Sequence, residues 1–269
     1  MPTLDQVKLE AIFALFKGEP GTRKSTAALS FPTPQYWIST DKKMESLILP
    51  GKAWGVDFKQ IDYDDFSDWD SPRRKLEQLQ LNCRYKTIVI DSITSIGDAI
   101  NRQVMRVKSG TTTKEGGEKG MRVGGIPVNT IEDYKAEASA FSEMIAIQKD
   151  IYARYNTNII LIGHVVGERQ AKETGQITHA ARIIITGGKA ISGKIAAYSS
   201  EIYHFNIKGS IDVNKPPEYG LFTVHTGDDF ARTALPLPTE IIFGDKPLYD
   251  NWIKPAISKL TTEKPVTKL

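Results

Sequence analysis

An apolar run, Ala11-Ile12-Phe13-Ala14-Leu15-Phe16, leads into Gly18-Glu19-Pro20-Gly21-Thr22-Arg23-Lys24-Ser25-Thr26, and Ala27-Ala28-Leu29 follows. Glycines in a short polar loop let successive backbone N–H groups converge on one point, and a helix that starts at Lys24 adds the positive end of its dipole. An ammonium and a hydroxyl side by side, Lys24 and Ser25, complete a cradle for a polyphosphate and its magnesium ion. The pattern G-x-x-x-x-G-K-[ST] is met at Gly18, Lys24 and Ser25 and broken at one position, where Arg23 stands in place of glycine. Either that backbone position tolerates a Cβ or the loop is reshaped. The plain alternative for the stretch is a Gly-Pro turn with an incidental lysine.

A second chemical residue closes the run Thr87-Ile88-Val89-Ile90-Asp91-Ser92. Consecutive β-branched residues ending in an acid read as a strand buried on both faces that holds its carboxylate at the C-terminal end. Asp91 there would hold a water on Mg²⁺ or orient Ser25; the plain alternative is a helix N-cap for Ile93 onward. Asn158-Ile159-Ile160-Leu161-Ile162-Gly163-His164 has the same form, and Gln35-Tyr36-Trp37-Ile38-Ser39 is a short strand followed by Thr40-Asp41-Lys42-Lys43. Such strands alternating with helices imply a parallel, doubly wound α/β sheet with ligands at the strands' carboxyl ends. Asp41, Asp91 and His164 then share one edge with the phosphate loop, where His164 could sense a γ-phosphate or be an ordinary strand-terminal histidine.

The supporting elements are simpler. A further strand is expected over Asp57–Ile61, a surface helix over residues 71–84, and a long helix from Asn129 to about Tyr155 whose apolar residues recur at helical spacing and cover one sheet face. Residues 201–207 and 220–225 alternate in polarity, which suggests antiparallel strands extending the sheet. One domain over residues 1–260 and a loose tail over 261–269 account for the chain. Two segments, 107–125 and 165–182, lack a core pattern and read as flexible loops leaving the carboxyl edge. The first brings Arg106, Lys108, Lys114, Lys119 and Arg122, the second Arg169, Lys172 and Arg182. Basic groups on such loops suit the phosphate backbone of DNA; simple solvation is the alternative, and neither loop carries an aromatic residue on which a base could stack.

Composition narrows the classes. With 269 residues and 40% hydrophobic content the chain can bury a sizeable core, so disorder is not its main state. A net charge of +3 is too small to imply a nucleic-acid partner without local clusters. One cysteine, Cys83, makes no internal disulfide, and four histidines show no metal-ligand spacing. No signal peptide and no bilayer-length apolar run are visible, which leads to the expectation of a reducing cytosol and no membrane contact.

The order of phosphate loop, Ile-Val-Ile-Asp-Ser, basic loop, Leu-Ile-Gly-His and second loop resembles the RecA/RadA recombinase core. It is similar above all to the phage nucleotide-binding proteins made of that core alone, including core-only RecA-like single-strand annealing proteins, over roughly residues 10 to 210. The resemblance implies a RecA-like P-loop NTPase using ATP and Mg²⁺, assembled as a homo-oligomeric ring or filament on single-stranded DNA, with nucleotide between protomers. It also implies that Asp41 takes the place of a water-activating glutamate, one carbon longer, with Glu45 as substitute and a helix N-cap as the plain reading. His164 takes the place of a glutamine that links γ-phosphate to the second DNA loop. Lys194, less so Lys189, lies in the region that supplies a basic residue to a neighbour's phosphate. A ring-forming helicase motor, a non-hydrolysing ATP-switched DNA-binding protein and a small-metabolite kinase remain as rivals.

Overall fold

The computed structural model describes residues 10–110, 122–123, 126–127, 131–171, 177–183, 195–208, 217–226 and 230–262. Strand β1 (Phe13–Gly18) is followed by helix α1 (Lys24–Leu29), β2 (Gln35–Ser39), α2 (Ile48–Ala53), β3 (Ile61–Asp65), α3 (Asp70–Leu81), β4 (Thr87–Asp91) and α4 (Ile93–Gly110). A two-residue pair, β5 (Arg122–Val123) and β6 (Ile126–Pro127), precedes α5 (Ile131–Tyr155). Then come β7 (Asn158–Ala171), β8 (Ile177–Ile183), β9 (Glu201–Lys208), β10 (Glu218–Phe222), β11 (Glu240–Ile242) and α6 (Lys254–Thr262). The main sheet runs β11-β10-β9-β1-β7-β4-β2-β3, and β8 pairs with β7. All neighbours from β9 to β3 are parallel, while β10 and β11 are antiparallel. The expected mostly parallel sheet with an antiparallel extension is therefore present.

Alternation along each central strand builds a core on both faces. Phe13, Leu15, Ile88, Ile90, Ile159 and Leu161 meet Leu76 of α3, Ile96 and Ile100 of α4 and Phe141, Ile145 and Ile151 of α5. Ala14, Phe16, Trp37, Val89, Ile160 and Ile162 point the other way, onto Ala27, Ala28 and Leu29 of α1 and the C-terminal Leu248, Ile253 and Ala256. Each fully buried aliphatic side chain contributes about 1.5–3 kcal/mol of transfer free energy. That burial holds the strand ends, and so the site, in fixed register.

Four expectations are corrected. The strand expected at Asp57–Ile61 begins at Ile61, because Asp57 caps a 3₁₀ turn over Phe58–Gln60: its carboxylate accepts from Lys59 N at 3.1 Å and Gln60 Nε2 at 3.0 Å. The helix expected over 71–84 covers Asp70–Leu81; Asn82 turns to extended backbone, and the Tyr155 hydroxyl donates to Leu81 O at 2.8 Å. Residues 201–207 do not start the antiparallel extension, since β9 lies parallel to β1. Its polar residues mislead because Glu201 is itself buried, accepting from Tyr203 Oη at 2.8 Å, Ala234 N at 3.0 Å and the Thr233 hydroxyl. Fourth, the segment expected as a loop from Val165 to Arg182 is a hairpin: β7 continues to Ala171 and pairs with β8 from Val165↔Ile183 to Ala171↔Ile177. Charged side chains on an outlying hairpin do not prevent the backbone ladder that its flanking Val and Ile residues favour. In the segment 107–125, α4 extends to Gly110 and β5 occupies Arg122–Val123. Residues 263–269 of the expected tail lie outside the described residues, and Thr261–Thr262 close α6.

Candidate functional site

The phosphate loop is set by its neighbours. Gly18 ends β1 against β9, where an added Cβ would stand 2.4 Å from Phe205 O, so only glycine fits. Gly21 has φ +83, in the region that favours glycine. The loop closes on itself as Thr22 Oγ1 donates to Glu19 O at 2.8 Å. Lys24 opens α1 almost fully buried, and its Nζ donates to Gly18 O at 2.8 Å, Glu19 O at 2.7 Å and Thr22 Oγ1 at 3.2 Å. Burial pushes its ammonium down to about 8, against the pull of the Asp91, Asp41 and Glu19 carboxylates. Pro20 and Thr26 complete the stretch.

Arg23, the departure from the glycine pattern, holds φ 64 and ψ 26, a left-handed conformation. A Cβ there costs about 1–2 kcal/mol. The backbone thus keeps the geometry glycine would supply, and the side chain leaves the loop mouth for the C-terminal part of the chain. It stacks over the Tyr219 ring at 3.8 Å from the centroid, donates to Gly244 O at 3.0 Å and pairs with Asp245. The reshaped loop is not found; the tolerated Cβ is.

Across the edge, one strand, β7, separates β1 from β4. Register places Gly18 opposite His164 and Asp91 opposite both Ser39 and Ile162. Ser25 Oγ donates to Asp91 Oδ2 at 2.6 Å. Burial raises the Asp91 carboxyl, Ser25's hydrogen bond lowers it, and Asp41 nearby raises it further. The ends of β2 and β4 are tied together: Thr40 N donates to Asp91 O at 2.7 Å and Ser92 N to Thr40 Oγ1 at 2.9 Å.

Asp41 sits in this stitch with both oxygens engaged. Oδ1 accepts from Ser92 Oγ at 3.0 Å and from the Ser95 hydroxyl, and Oδ2 lies 3.1 Å from His164 Nε2. Burial pulls its carboxyl up, but the hydrogen bonds from His164, Ser95 and Ser92 outweigh it and hold it at about 2. Since an ionised carboxylate only accepts, Nε2 carries the proton of that bond, and His164 Nδ1 is left buried without a partner among the described residues. A backbone bond from His164 N to Thr94 Oγ1, 3.1 Å, fixes the ring's base. Glu45, expected as a substitute base, is exposed on a 3₁₀ turn over Met44–Leu47 and shares no hydrogen bond with this cluster.

Sequence reasoning missed Thr40, Ser92, Thr94 and Ser95. The only signal was a run of small hydroxyl residues after Asp91, whose use depends on which strand lies alongside. Tyr219, Gly244 and Asp245, the partners of Arg23, had no local signal at all. Of the expected DNA-contacting residues, Arg106 is exposed on α4, Lys108 lies on the same helix, and Arg122, Arg169 and Arg182 lie in β5, β7 and β8. Lys114, Lys119, Lys172, Lys189 and Lys194 are outside the described residues. Among the described residues no helix is long and apolar enough to cross a membrane.

A family model described as an AAA domain matches residues 11–234, a span that runs from the phosphate loop's strand through the Asp91 and His164 strands to β10 and the segment after it. The chain belongs to this AAA-domain family. The crystal structure of the RadB recombinase is similar to this AAA-domain chain at 13% identity, with a TM-score of 0.46 over 78% of this chain and 79% of that one. Comparison with curated proteins gives no match. The AAA-domain chain thus has a P-loop NTPase architecture, with loop, hydroxyl and acid at one sheet edge.

Proposed function

We propose that this AAA-domain chain binds ATP in the Gly18–Thr26 loop and uses the bound nucleotide to control contact with single-stranded DNA, as a RecA-like recombination or annealing protein of phage type. The observation that carries the nucleotide reading is the 2.6 Å bond between Ser25 and Asp91 beside the buried Lys24 ammonium. Lys24 answers the terminal phosphates, whose oxygens replace the loop carbonyls as its acceptors. The donor set suits Mg²⁺: a hydroxyl oxygen and a carboxylate, with substrate phosphates supplying further oxygens. Ser25 and Asp91 would hold that ion, which supplies charge neutralisation on the phosphates when bound.

Link to DNA runs along one strand. His164 bonds Asp41 at the nucleotide edge, and the same β7 continues without a break into the hairpin that carries Arg169, opposite His179 of β8, and Arg182 of β8, opposite Val166. A γ-phosphate competes with Asp41 for the His164 N–H, and a hydrogen bond made with ATP and lost with ADP is enough to bias the hairpin. Arg106, Lys108, Lys114, Lys119, Arg122, Lys172 and the hairpin arginines supply backbone-type contacts with little base preference. Assembly as a ring or filament, with Lys194 reaching a neighbour's phosphate, completes the reading.

A second reading has its own support. Asp41 is ionised, held by three donors and near 2, far from the neutral value at which a general base is effective. That state favours slow hydrolysis or a nucleotide switch over rapid turnover. Steady-state ATP hydrolysis with and without single-stranded DNA, beside a Lys24→Ala variant and a duplex-DNA control, separates the two. Stimulation by single strands that is lost in Lys24→Ala is the expected result; no turnover but ATP-dependent DNA binding selects the switch, and turnover indifferent to DNA ends the DNA-coupled reading.

A further inference from the structure

Arg23 occupies a place in the loop where the motif wants glycine, and its side chain is not aimed at the phosphate cradle. It is received by a small built surface. The Tyr219 ring lies under the guanidinium, Gly244 O accepts from it and the Asp245 carboxylate pairs with it. That surface is fixed independently of Arg23. Phe243 N and Gly244 N both donate to Tyr219 O at 3.1 Å, Lys246 N donates to Phe243 O at 2.8 Å, and Trp54 Nε1 donates to Asp245 O at 2.6 Å. Gly244 turns the chain at φ +53 with open space where a Cβ would stand, so the turn is shaped by its own backbone. Residues 243–246 lie beyond the span that matches the family model.

We infer that Tyr219 and the Gly244–Asp245 turn form a latch that holds the phosphate loop in its binding conformation through Arg23, making Arg23 a positioning residue for nucleotide binding. A side chain in left-handed backbone is strained, and without compensation the loop spends part of its time elsewhere. Apparent affinity falls by the fraction of time the competent loop is missing. Ion pair, carbonyl bond and ring stacking restore that fraction. The C-terminal part of the chain, far from the loop in sequence, is thereby a component of the nucleotide site. The inference rests on the nucleotide reading of the loop.

Calorimetric titration of Mg-ATP into the full chain tests it, with melting temperatures of the nucleotide-free proteins measured alongside. Arg23→Ala keeps the strain and loses the latch, so its affinity drops roughly tenfold. Arg23→Gly needs no latch and stays within about twofold of the parent. Asp245→Ala, at an exposed position that leaves the core intact, weakens ATP about two- to fivefold when Arg23 is present and not at all in the Arg23→Gly background. Asp245→Glu, which keeps the carboxylate, recovers the affinity. Equal losses in Arg23→Ala and Arg23→Gly, or tighter binding in Asp245→Ala, would overturn the latch and make Arg23 a phosphate ligand. If the parent protein binds no ATP, the nucleotide reading fails and the melting temperatures decide the latch alone. Arg23→Ala melting below Arg23→Gly, with Asp245→Ala lowering the temperature only beside Arg23, sustains it; indifference to the background overturns it.

Discussion

Asp41 illustrates how a catalytic-looking carboxylate can be spent on architecture. Its folded value of about 2 lies below the ordinary 3.8, so its stabilising effect is full above pH 4 and is lost as pH falls through 3.8 toward 2. The difference corresponds to about 2 kcal/mol. Asp41→Asn is therefore expected to lower unfolding free energy by about that amount at pH 6, with the gap narrowing between pH 4 and pH 2 in urea melts. A gap that does not change with pH would mean that the three donors do not hold the charged form. At this scale the placement of the candidate site residues was legible wherever a residue closes a strand or a loop. Lys24, Ser25, Asp91, Asp41 and His164 come together at one edge as their positions after apolar runs implied. The hydroxyls of Thr40, Ser92 and Ser95 were not legible, because their partners lie some fifty positions away: Thr40 bonds the Ser92 backbone, and Ser92 and Ser95 bond the Asp41 carboxylate. Arg23 was legible as an anomaly and not as a solution, since Asp245 stands 222 positions away.

Elements were read most securely where burial leaves one possible pattern. β4 and the first half of β7 are apolar on both faces and fall where consecutive β-branched residues placed them, and α5 begins two residues after the expected Asn129. Errors fell where polar residues are buried or lie at an edge: β3, the outermost parallel strand, carries Asp62, which Arg84 and Tyr85 satisfy, Asp64, which Tyr36 satisfies, and the exposed Asp65. Helix α5 contains a similar surprise. Glu137 is fully buried on its inner face, where burial raises its carboxyl to about 7, an Asn101 amide bond at 3.3 Å lowers it and Asp98 raises it. The folded value exceeds the ordinary 4.5, so stability is full below pH 4.5 and is lost as pH rises toward 7. Glu137→Gln removes that penalty. It is expected to match the parent near pH 4.5 and to be more stable by about 2–3 kcal/mol at pH 8 in paired urea melts. Equal stability of the two proteins at pH 8 would show that the α4–α5 contact opens to let the charge be solvated.

At the scale of the whole molecule, the sheet order brings the phosphate loop, the Asp91 strand and the His164 strand to one edge, and β7 carries on from that edge into an outlying hairpin. The alternation of apolar strands and helices was enough to foresee the parallel sheet. It was not enough to foresee that the His164 strand and the second basic segment are one continuous element, since Glu168 and Arg169 interrupt the apolar pattern without interrupting the ladder. That continuity underlies the proposed coupling, in which nucleotide state reaches single-stranded DNA through His164. The most direct measurement is the anisotropy of a fluorescent oligothymidylate titrated with the protein in Mg-ATP, in Mg-ADP and without nucleotide, for the parent and for His164→Ala. Coupling through His164 predicts at least about tenfold tighter binding in Mg-ATP than in Mg-ADP, about 1.4 kcal/mol, which His164→Ala abolishes. Equal affinity in all three conditions, or a nucleotide effect that survives in His164→Ala, would contradict it.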